Sequence, residues 1–216
     1  MPNWAMNELE VEAPNETLLH NFLAKMESAA KDDEVLSFQS ILPMPEILED
    51  TIAPFKNIEE VEKQIFRATG EHLTIQNFEQ KYKNQHSDIH KIISEHKLGL
   101  VAFEETGFYD WYSWQYEKWG VKWGCQNSTI DVFEENKCLY NFDTPWGSPI
   151  SWLLYVSYLY PEFKFIHKCA DPSMNTHVEH YLENGTLQEM KQMEFFDAVE
   201  VGNWGGPDNW EMEEVE

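Results

Sequence analysis

The sequence is almost without arginine: Arg67 is the only one among 216 residues, and 15 basic residues stand against 39 acidic ones. The formal net charge is therefore −24. Proteins that bind nucleic acids directly need a basic face to neutralise phosphates and arginine side chains to read base edges. The composition argues against that class of function. It favours a basic protein partner, or mimicry of a nucleic acid's charge, whereas acidity that serves solubility alone is the alternative.

Signals for membrane insertion and secretion are also missing. No apolar run approaches the roughly 20 residues that cross a bilayer. The opening stretch MPNWAMNELEVEA lacks the basic start and the apolar centre of a signal peptide. The three cysteines form no CxxC pair, and their odd number suits free thiols in a reducing compartment. We therefore expect a protein of the cytoplasm that does not enter the membrane.

Motifs of catalysis are absent as well. The sequence has no GxSxG, no phosphate-binding glycine loop and no HExxH. Acid–base chemistry in one cleft would depend on carboxylates such as those of Glu104, Glu105, Asp110 and Asp143. A chain with 39 acidic residues brings some of them close together by chance. We expect no enzymatic activity and no cofactor, and a hydrolase is the alternative.

Two pairs of histidines have a spacing found among metal ligands. His86 and His90 stand four positions apart on a predicted helix, and His177 and His180 follow Asp171. Neither pair has a third ligand at a recognisable spacing. We predict no metal site.

The first segment of the chain alternates between strand and helix patterns. Apolar residues alternate with polar ones from Trp4 to Ala13, which predicts a strand, and Asn15 predicts the start of a helix with one apolar face. Alternation returns from Val35 to Leu42 and predicts a second strand, which Pro43 ends. These elements form one half of a predicted sheet with its covering helix.

A helical insertion is predicted over residues 46–99. A capping-box sequence at Asn57 begins a helix that Gly70 ends, and a longer helix is predicted from Thr74 to Gly99. A short strand at Leu100–Phe103 then returns the chain to the sheet.

The remaining elements complete an α+β pattern. They are a buried aromatic helix at 108–119, a hairpin at 129–142, a helix at 149–160, a strand at 162–169 and a hairpin at 180–187. This order predicts a ferredoxin-like fold, an antiparallel sheet with helices on one face, formed by residues 1–45 and 100–187. An acidic C-terminal extension, 188–216, follows it.

Tryptophans next to glycines mark the candidate binding residues. Trp119, Trp123 and Trp146 lie in KWGVKWG and DTPWGSP, with Lys122 between two of them and Asp143 close by. They predict either a stacking platform for a ligand or a peptide, or plain anchors of the core. Trp204 and Trp210 in the acidic extension are further candidates, since tryptophan is enriched at binding hot spots.

Five motifs, in order, resemble a known family. The stretches MPNWAMN, FQSILPMPEIL, WGVKWG, FDTPWGSP and YPEFKF are similar to those of the YubB-like (Api-like) family of phage- and plasmid-encoded proteins. Ala5 replaces the family's usual cysteine, Val121 a threonine and Gly124 an aspartate, while Gly147 and Ser148 replace a variable residue and a proline. The resemblance implies a ferredoxin-like C-terminal domain and a mobile-element setting, and it supplies no catalytic residue.

Together these observations predict a binding protein. We expect a cytoplasmic phage or plasmid accessory protein that binds, through an acidic surface, a host protein with a basic surface and inhibits it, with host defence as the setting. A protein that sequesters a nucleotide-like small molecule in a tryptophan-lined pocket is the alternative.

Overall fold

The computed structural model describes residues 3–31 and 33–200, and these residues form two compact units. The first, here called the sheet unit, comprises the described residues up to Pro43 and from Lys118 onward. The second, the helical unit, comprises Met44–Glu117. The strands are β1 (Trp4–Glu12), β2 (Gln126–Glu134), β3 (Lys137–Pro145), β4 (Lys164–Asp171), β5 (Thr176–Glu183) and β6 (Thr186–Met193). The α-helices are α1 (Glu16–Glu27), α2 (Ile58–Thr69), α3 (Ile75–Lys81), α4 (Ser87–Thr106), α5 (Trp111–Trp119), α6 (Ile150–Leu159) and α7 (Phe195–Glu200).

The sheet unit is built on one six-stranded antiparallel sheet in the order β2-β3-β1-β4-β5-β6. Helix α1 follows β1, and α6 connects β3 to β4. The predicted α+β class is confirmed, and so are the first strand, both hairpins and the strand that became β4. The turn between β5 and β6 uses Asn184 and Gly185, whose φ angles of 49° and 69° are the left-handed conformation that a tight hairpin needs.

Helices α1 and α6 cover one face of this sheet. The side chain of Asn15 accepts a hydrogen bond from Leu18 N at 3.0 Å, which caps α1 as predicted. On α1, Phe22 is buried and lies 6.0 Å from the ring of Phe165 in β4. On α6, Trp152 is buried and stacks on Phe38 at 4.4 Å. The face that these helices bury is called the covered face below.

The prediction of a second strand at Val35–Leu42 is wrong, because this segment pairs with no strand and contains only a 3-10 turn at Phe38–Ser40. Its backbone groups bond to side chains and to nearby backbone carbonyls instead of a neighbouring strand. Ser128 Oγ accepts from the amides of Val35 and Leu36, at 2.9 and 3.2 Å. The indole nitrogens of Trp119 and Trp152 donate to Leu42 O and Phe38 O, at 3.0 and 3.2 Å. The apolar alternation reflects burial of Leu36 and Phe38 in the core, which does not require a ladder of backbone hydrogen bonds.

The helical unit has a small core of its own, formed where α2, α3 and α4 meet. Glu60 N donates to Asn57 Oδ1 at 3.0 Å and Asn57 N donates to Glu60 Oε2 at 3.1 Å, so the predicted capping box is confirmed. Gly70 ends α2 with a φ of 74°, also as predicted. The buried residues of this core are Val61, Ile65, Phe78, Ile89 and Ile93.

The long helix predicted from Thr74 to Gly99 is in fact two helices, because the chain turns at His86, where φ is 58°. Helix α4 then continues through Gly99, so the strand predicted at Leu100–Phe103 is wrong. Gly99 serves close packing: a Cβ there would lie 2.5 Å from Cδ2 of Phe55. Gly99 therefore does not end the helix as predicted; its missing side chain allows the Phe55 ring to pack against the helix backbone.

The aromatic helix predicted at 108–119 is confirmed as α5, but its predicted burial is only partial. Trp114 and Trp119 are buried, whereas Tyr112 and Tyr116 are 38% and 61% exposed. Nowhere in residues 3–31 and 33–200 does a helix reach the length and apolar character of a membrane-spanning segment.

The opposite face of the sheet carries one short helix. β6 extends beyond the predicted hairpin to Met193, and α7 follows it. Phe195 and Ala198 of α7 pack on Ala170 of β4, together with Met6 and Met193. Trp204 and Trp210, predicted as binding residues, lie outside the described residues.

Candidate functional site

The rest of that opposite face, called the open face below, carries mostly charged side chains in three cross-strand rows. The strand period of two places Glu8, Glu10 and Glu12 of β1 on this side, since Leu9 and Val11 point into the covered core. The first row is Thr129–Asn141–Glu8–Lys168–Glu179–Lys191. The second is Asp131–Leu139–Glu10–Ile166–Tyr181–Glu189, and the third is Glu134–Lys137–Glu12–Lys164–Glu183–Thr186.

The open face is acidic even though four lysines stand on it. Its three rows hold eight acidic residues and four lysines, so its charge is 4 − 8 = −4. Two of the lysines form ion pairs with carboxylates of the same face. Lys137 lies 3.8 Å from both Glu12 and Glu134, and Lys191 lies 3.7 Å from Glu189. The uncompensated charge is therefore negative, as a surface for a cationic partner requires.

A groove of about 380 Å³ crosses the open face over the second and third rows. Ile166 and Tyr181, both partly buried, contribute its apolar lining. Four carboxylates and a single lysine supply the charge around it: Glu10, Glu12, Glu183, Glu189 and Lys164. An apolar lining with a negative rim matches a flexible side chain that is aliphatic along its stem and cationic at its end.

Next to this groove, the first row contains a partly buried charged cluster. Lys168 Nζ lies 3.9 Å from Oε1 of Glu179, which is only 2% exposed and accepts a hydrogen bond from Tyr181 Oη at 3.1 Å. Lys191 Nζ lies 4.7 Å above the Tyr181 ring and donates to its hydroxyl at 3.3 Å. Burial raises the pKa of Glu8, against the opposing effect of Lys168. These contacts hold the Tyr181 ring in place beside the groove.

The structure separates the predicted tryptophans into a core residue and two surface residues. Trp119 is 2% exposed and packs edge-on against Phe38, so the anchor interpretation holds for it and the platform interpretation does not. Trp123 is 38% exposed, and Lys122 Nζ lies 4.4 Å from the centre of its ring. Trp146 is 60% exposed. Neither the open-face groove nor the larger groove beside Arg67 in the helical unit is lined by a tryptophan, so neither fits the predicted tryptophan-lined pocket.

Three of the predicted site residues share one end of the β2–β3 hairpin. Gln126 pairs with Asp143, so Trp123, three residues before Gln126, and Trp146, three residues after Asp143, both lie beyond that pair. The Asp143 carboxylate accepts a hydrogen bond from Asn127 Nδ2 at 2.8 Å. This end of the hairpin, called the tryptophan end below, carries two exposed tryptophans and the Asp143 carboxylate.

A buried polar chain runs from the middle of the covered face to the tryptophan end. The amide nitrogen of Asn7 faces three acceptors, Ala5 O, Phe142 O and Thr144 Oγ1, at 2.9, 3.2 and 2.7 Å. Its Oδ1 therefore accepts, and His167 Nε2 donates to it at 3.0 Å.

The protonation of the next histidine follows from this arrangement. A neutral His167 has its single proton on Nε2, so its Nδ1 accepts from His180 Nδ1 at 3.1 Å. Burial lowers the pKa of both imidazoles, and for His167 the neighbouring His180 and His177 lower it further. At the other end, Thr144 donates to Gly147 O at 2.6 Å. Neutral histidines, an amide and a hydroxyl thus hold the turn that carries Trp146.

The two histidine pairs with metal-ligand spacing are not arranged as pairs. His86 precedes α4, and His90 Nε2 donates to Tyr82 O at 2.8 Å. His180 points to the covered face, whereas His177 lies on the other side of β5. Within the described ranges no group of three histidine, cysteine or acidic side chains has the arrangement of a metal site.

Of the four carboxylates that a hydrolase would use, Asp110 and Asp143 accept hydrogen bonds within the fold, and Glu105 lines an open groove of the helical unit with Glu46 and Asp50. Asp110 is buried in the helical unit, where it accepts from Phe55 N at 3.0 Å and from Ser113 N at 2.8 Å and thereby caps α5. Glu104 and Glu105 are exposed on α4. Burial raises the pKa of Cys138 and of Cys169 to about 12, so neither thiol is poised as a nucleophile.

The open-face residues were not among the predicted site residues, although the sequence contains their signal. In NELEVE, every second residue from Glu8 to Glu12 is glutamate. A strand with that alternation places three carboxylates on one face, opposite the apolar residues. Ile166 and Tyr181 could be added only once the strand order was known, because they belong to strands distant from β1 in sequence.

No family model matches the sequence, and no curated protein matches it. Among solved structures, the protein api92 from Yersinia pseudotuberculosis, described with the family DUF1281, is similar in 89% of this chain and 98% of its own. The two sequences are 12% identical and the TM-score is 0.44, a likeness too distant to carry an argument about function.

Proposed function

We propose that this protein is a non-enzymatic binding protein whose open face docks on a basic surface of a protein partner. The observation that carries the proposal is the groove on that face, in which the Ile166 and Tyr181 side chains meet the carboxylates of Glu10, Glu12 and Glu189. A lysine or arginine side chain of the partner would lay its aliphatic stem on the apolar lining and its charge among the carboxylates. The net charge of −24 would speed the encounter with such a partner.

The setting of this function follows from the motif resemblance. The YubB-like family consists of phage- and plasmid-encoded proteins, so the partner we propose is a host protein in the host cytoplasm, with a defence protein as the leading class. A protein that binds nucleic acid through a basic surface would be inhibited by an acidic occupant of that surface. We further propose that the sheet unit is ferredoxin-like: its order β1-α1-β2-β3-α6-β4 matches that pattern, and β5 and β6 extend the sheet.

The test uses a fluorescent tetra-arginine peptide as the basic probe and measures its anisotropy as the protein is added. We expect binding at low salt that weakens as salt is raised. The single changes Glu10→Gln and Glu189→Gln should each weaken binding about two- to fivefold, which corresponds to an exposed charge contact of about 0.5–1 kcal/mol. Lys164→Gln should strengthen binding, because it removes the one positive charge that lines the groove.

The matched control is Glu27→Gln, which removes the same charge from the exposed last turn of α1, on the helix that buries the covered face. It should leave the affinity close to that of the wild type. Equal weakening by Glu27→Gln and Glu10→Gln would show that the peptide responds to net charge alone and would contradict the proposed site.

A further inference from the structure

Trp146 stands in an unusual backbone conformation. Its φ is 71°, in the left-handed region that residues with a bulky side chain avoid, and the next residue is Gly147. Such a conformation persists only where the surrounding structure holds it, and it is often found at functional sites. Its side chain is nevertheless 60% exposed, so the strain is not explained by burial of the indole.

The turn is held from both sides by hydrogen bonds. Trp146 N donates to Asn3 O at 2.9 Å, and Thr144 Oγ donates to Gly147 O at 2.6 Å. Thr144 Oγ in turn accepts from Asn7 Nδ2 at 2.7 Å, and both Asn7 and Thr144 are buried. The indole is thereby presented in a fixed position, which lowers the entropy that a partner loses on binding.

The surroundings of the three tryptophans differ in one respect. The Trp119 indole is buried, and the Trp123 ring already has the Lys122 ammonium 4.4 Å from its centre. In the described part of the chain, the Trp146 ring contacts no other aromatic ring and no cationic group. A tryptophan face is the best aromatic receptor for a cation, and the planar, weakly hydrated guanidinium group suits it better than an ammonium group does.

We propose that Trp146 receives an arginine side chain of the basic partner, with the guanidinium group stacked on the indole. This inference rests on the proposed function, because it presumes a basic partner, but it concerns a contact separate from the groove. Asp143 and Lys122 contribute opposite charges at the tryptophan end, so the contact depends on the exposed indole face of Trp146 and on the partner's positive charge. Asn7 and Thr144 act as positioning residues for the turn.

Fluorine NMR of protein labelled with fluorotryptophan tests this contact. The Trp146 signal is assigned by its loss in Trp146→Leu, which keeps apolar bulk and removes the aromatic face. Addition of tetra-arginine should shift the Trp146 signal, tetra-lysine should shift it less at the same concentration, and tetra-glutamate should leave it in place. The Trp119 signal should not move with any peptide, because that indole is buried. Trp146→Leu should weaken tetra-arginine binding about two- to fivefold, the range expected for an exposed cation–π contact.

The groove variants separate this inference from the proposed function. If Glu10→Gln weakens tetra-arginine binding while the Trp146 signal stays in place throughout the titration, the proposed function stands and the Trp146 contact is refuted. If the Trp146 signal shifts while Glu10→Gln has no effect, the groove is refuted as the binding site. If Trp146→Leu unfolds, Trp146→Phe supplies the assignment, and the presence or absence of a tetra-arginine shift in the wild-type Trp146 signal still decides the inference.

Discussion

The His167–His180 pair makes the stability of the sheet unit depend on pH, and His167→Gln tests this directly. His167 is 0% exposed, and burial together with the neighbouring histidines lowers its pKa well below the ordinary value. As pH falls, the unfolded chain therefore takes up a proton at this histidine before the folded protein does. The contribution of His167 to the free energy of unfolding is fully present above the unfolded pKa of about 6.5 and is lost as pH falls below it.

The magnitude follows from the proton linkage. A histidine that stays neutral in the folded protein lowers the free energy of unfolding by about 1.4 kcal/mol for each pH unit below its unfolded pKa. Between about pH 7 and about pH 5 the contribution of His167 is therefore a loss of about 2 kcal/mol. His180 and His177, whose pKa values burial also lowers, act in the same direction. Glu8, whose pKa burial raises, acts in the opposite direction.

Urea unfolding followed by circular dichroism, at several pH values in that range, measures the effect. Glutamine at position 167 can donate to Asn7 Oδ1 and accept from His180 without titrating. His167→Gln should therefore lose about 2 kcal/mol less than the wild type between about pH 7 and about pH 5. His20→Gln, the same substitution on the exposed side of α1, is the matched control. If wild type and His167→Gln lose equal stability, the buried pair does not remain neutral and the reasoning is wrong.

Three further predictions concern packing, strain and thiol reactivity. Gly99→Ala should destabilise the protein by about 1–3 kcal/mol in chemical unfolding, because the new Cβ meets the Phe55 ring, although alanine alone favours a helix by about 1 kcal/mol; an unchanged stability would contradict the packing role. Trp146→Gly should leave the free energy of unfolding within about 1 kcal/mol of the wild-type value. The substitution relieves about 1–2 kcal/mol of strain from the left-handed backbone conformation, and the greater freedom of glycine in the unfolded chain offsets this gain. A loss of about 3 kcal/mol or more would contradict the exposure of the ring and place it in the core. Cys138 and Cys169 should react with a thiol reagent only on unfolding, as monitored by mass spectrometry, because burial raises both pKa values to about 12; rapid labelling of the native protein would refute this.

The parts of the fold that could be predicted are those in which one short pattern determines the local structure. The alternation in β1, the caps at Asn15 and Asn57 and the Asn184–Gly185 turn each led to the right element. The alternation at Val35–Leu42 led to a wrongly predicted strand, because alternation indicates which side chains are buried and does not indicate where the backbone hydrogen bonds go. Three of the partners in those hydrogen bonds, Ser128 and two indole nitrogens, lie far away in sequence.

The candidate site was predictable only in part for a related reason. The identity of a tryptophan does not say whether its ring is buried like that of Trp119 or exposed like that of Trp146, because both are flanked by glycine. The difference arises from which side of a turn faces the core. Likewise, the groove combines residues of β1, β4, β5 and β6, and their proximity depends on a strand order that no local pattern contains.

Site-specific photo-crosslinking in host cells tests the central claim, docking of the open face on a basic protein, most directly. A photoreactive amino acid replaces Gln188, which lines the groove, and in a second variant it replaces His20 on the exposed side of α1. We predict that the Gln188 variant crosslinks to one host protein with a basic surface, that Glu10→Gln in the same chain reduces the yield, and that the His20 variant does not capture this protein. An acidic captured protein, or equal capture from both positions, would contradict the account.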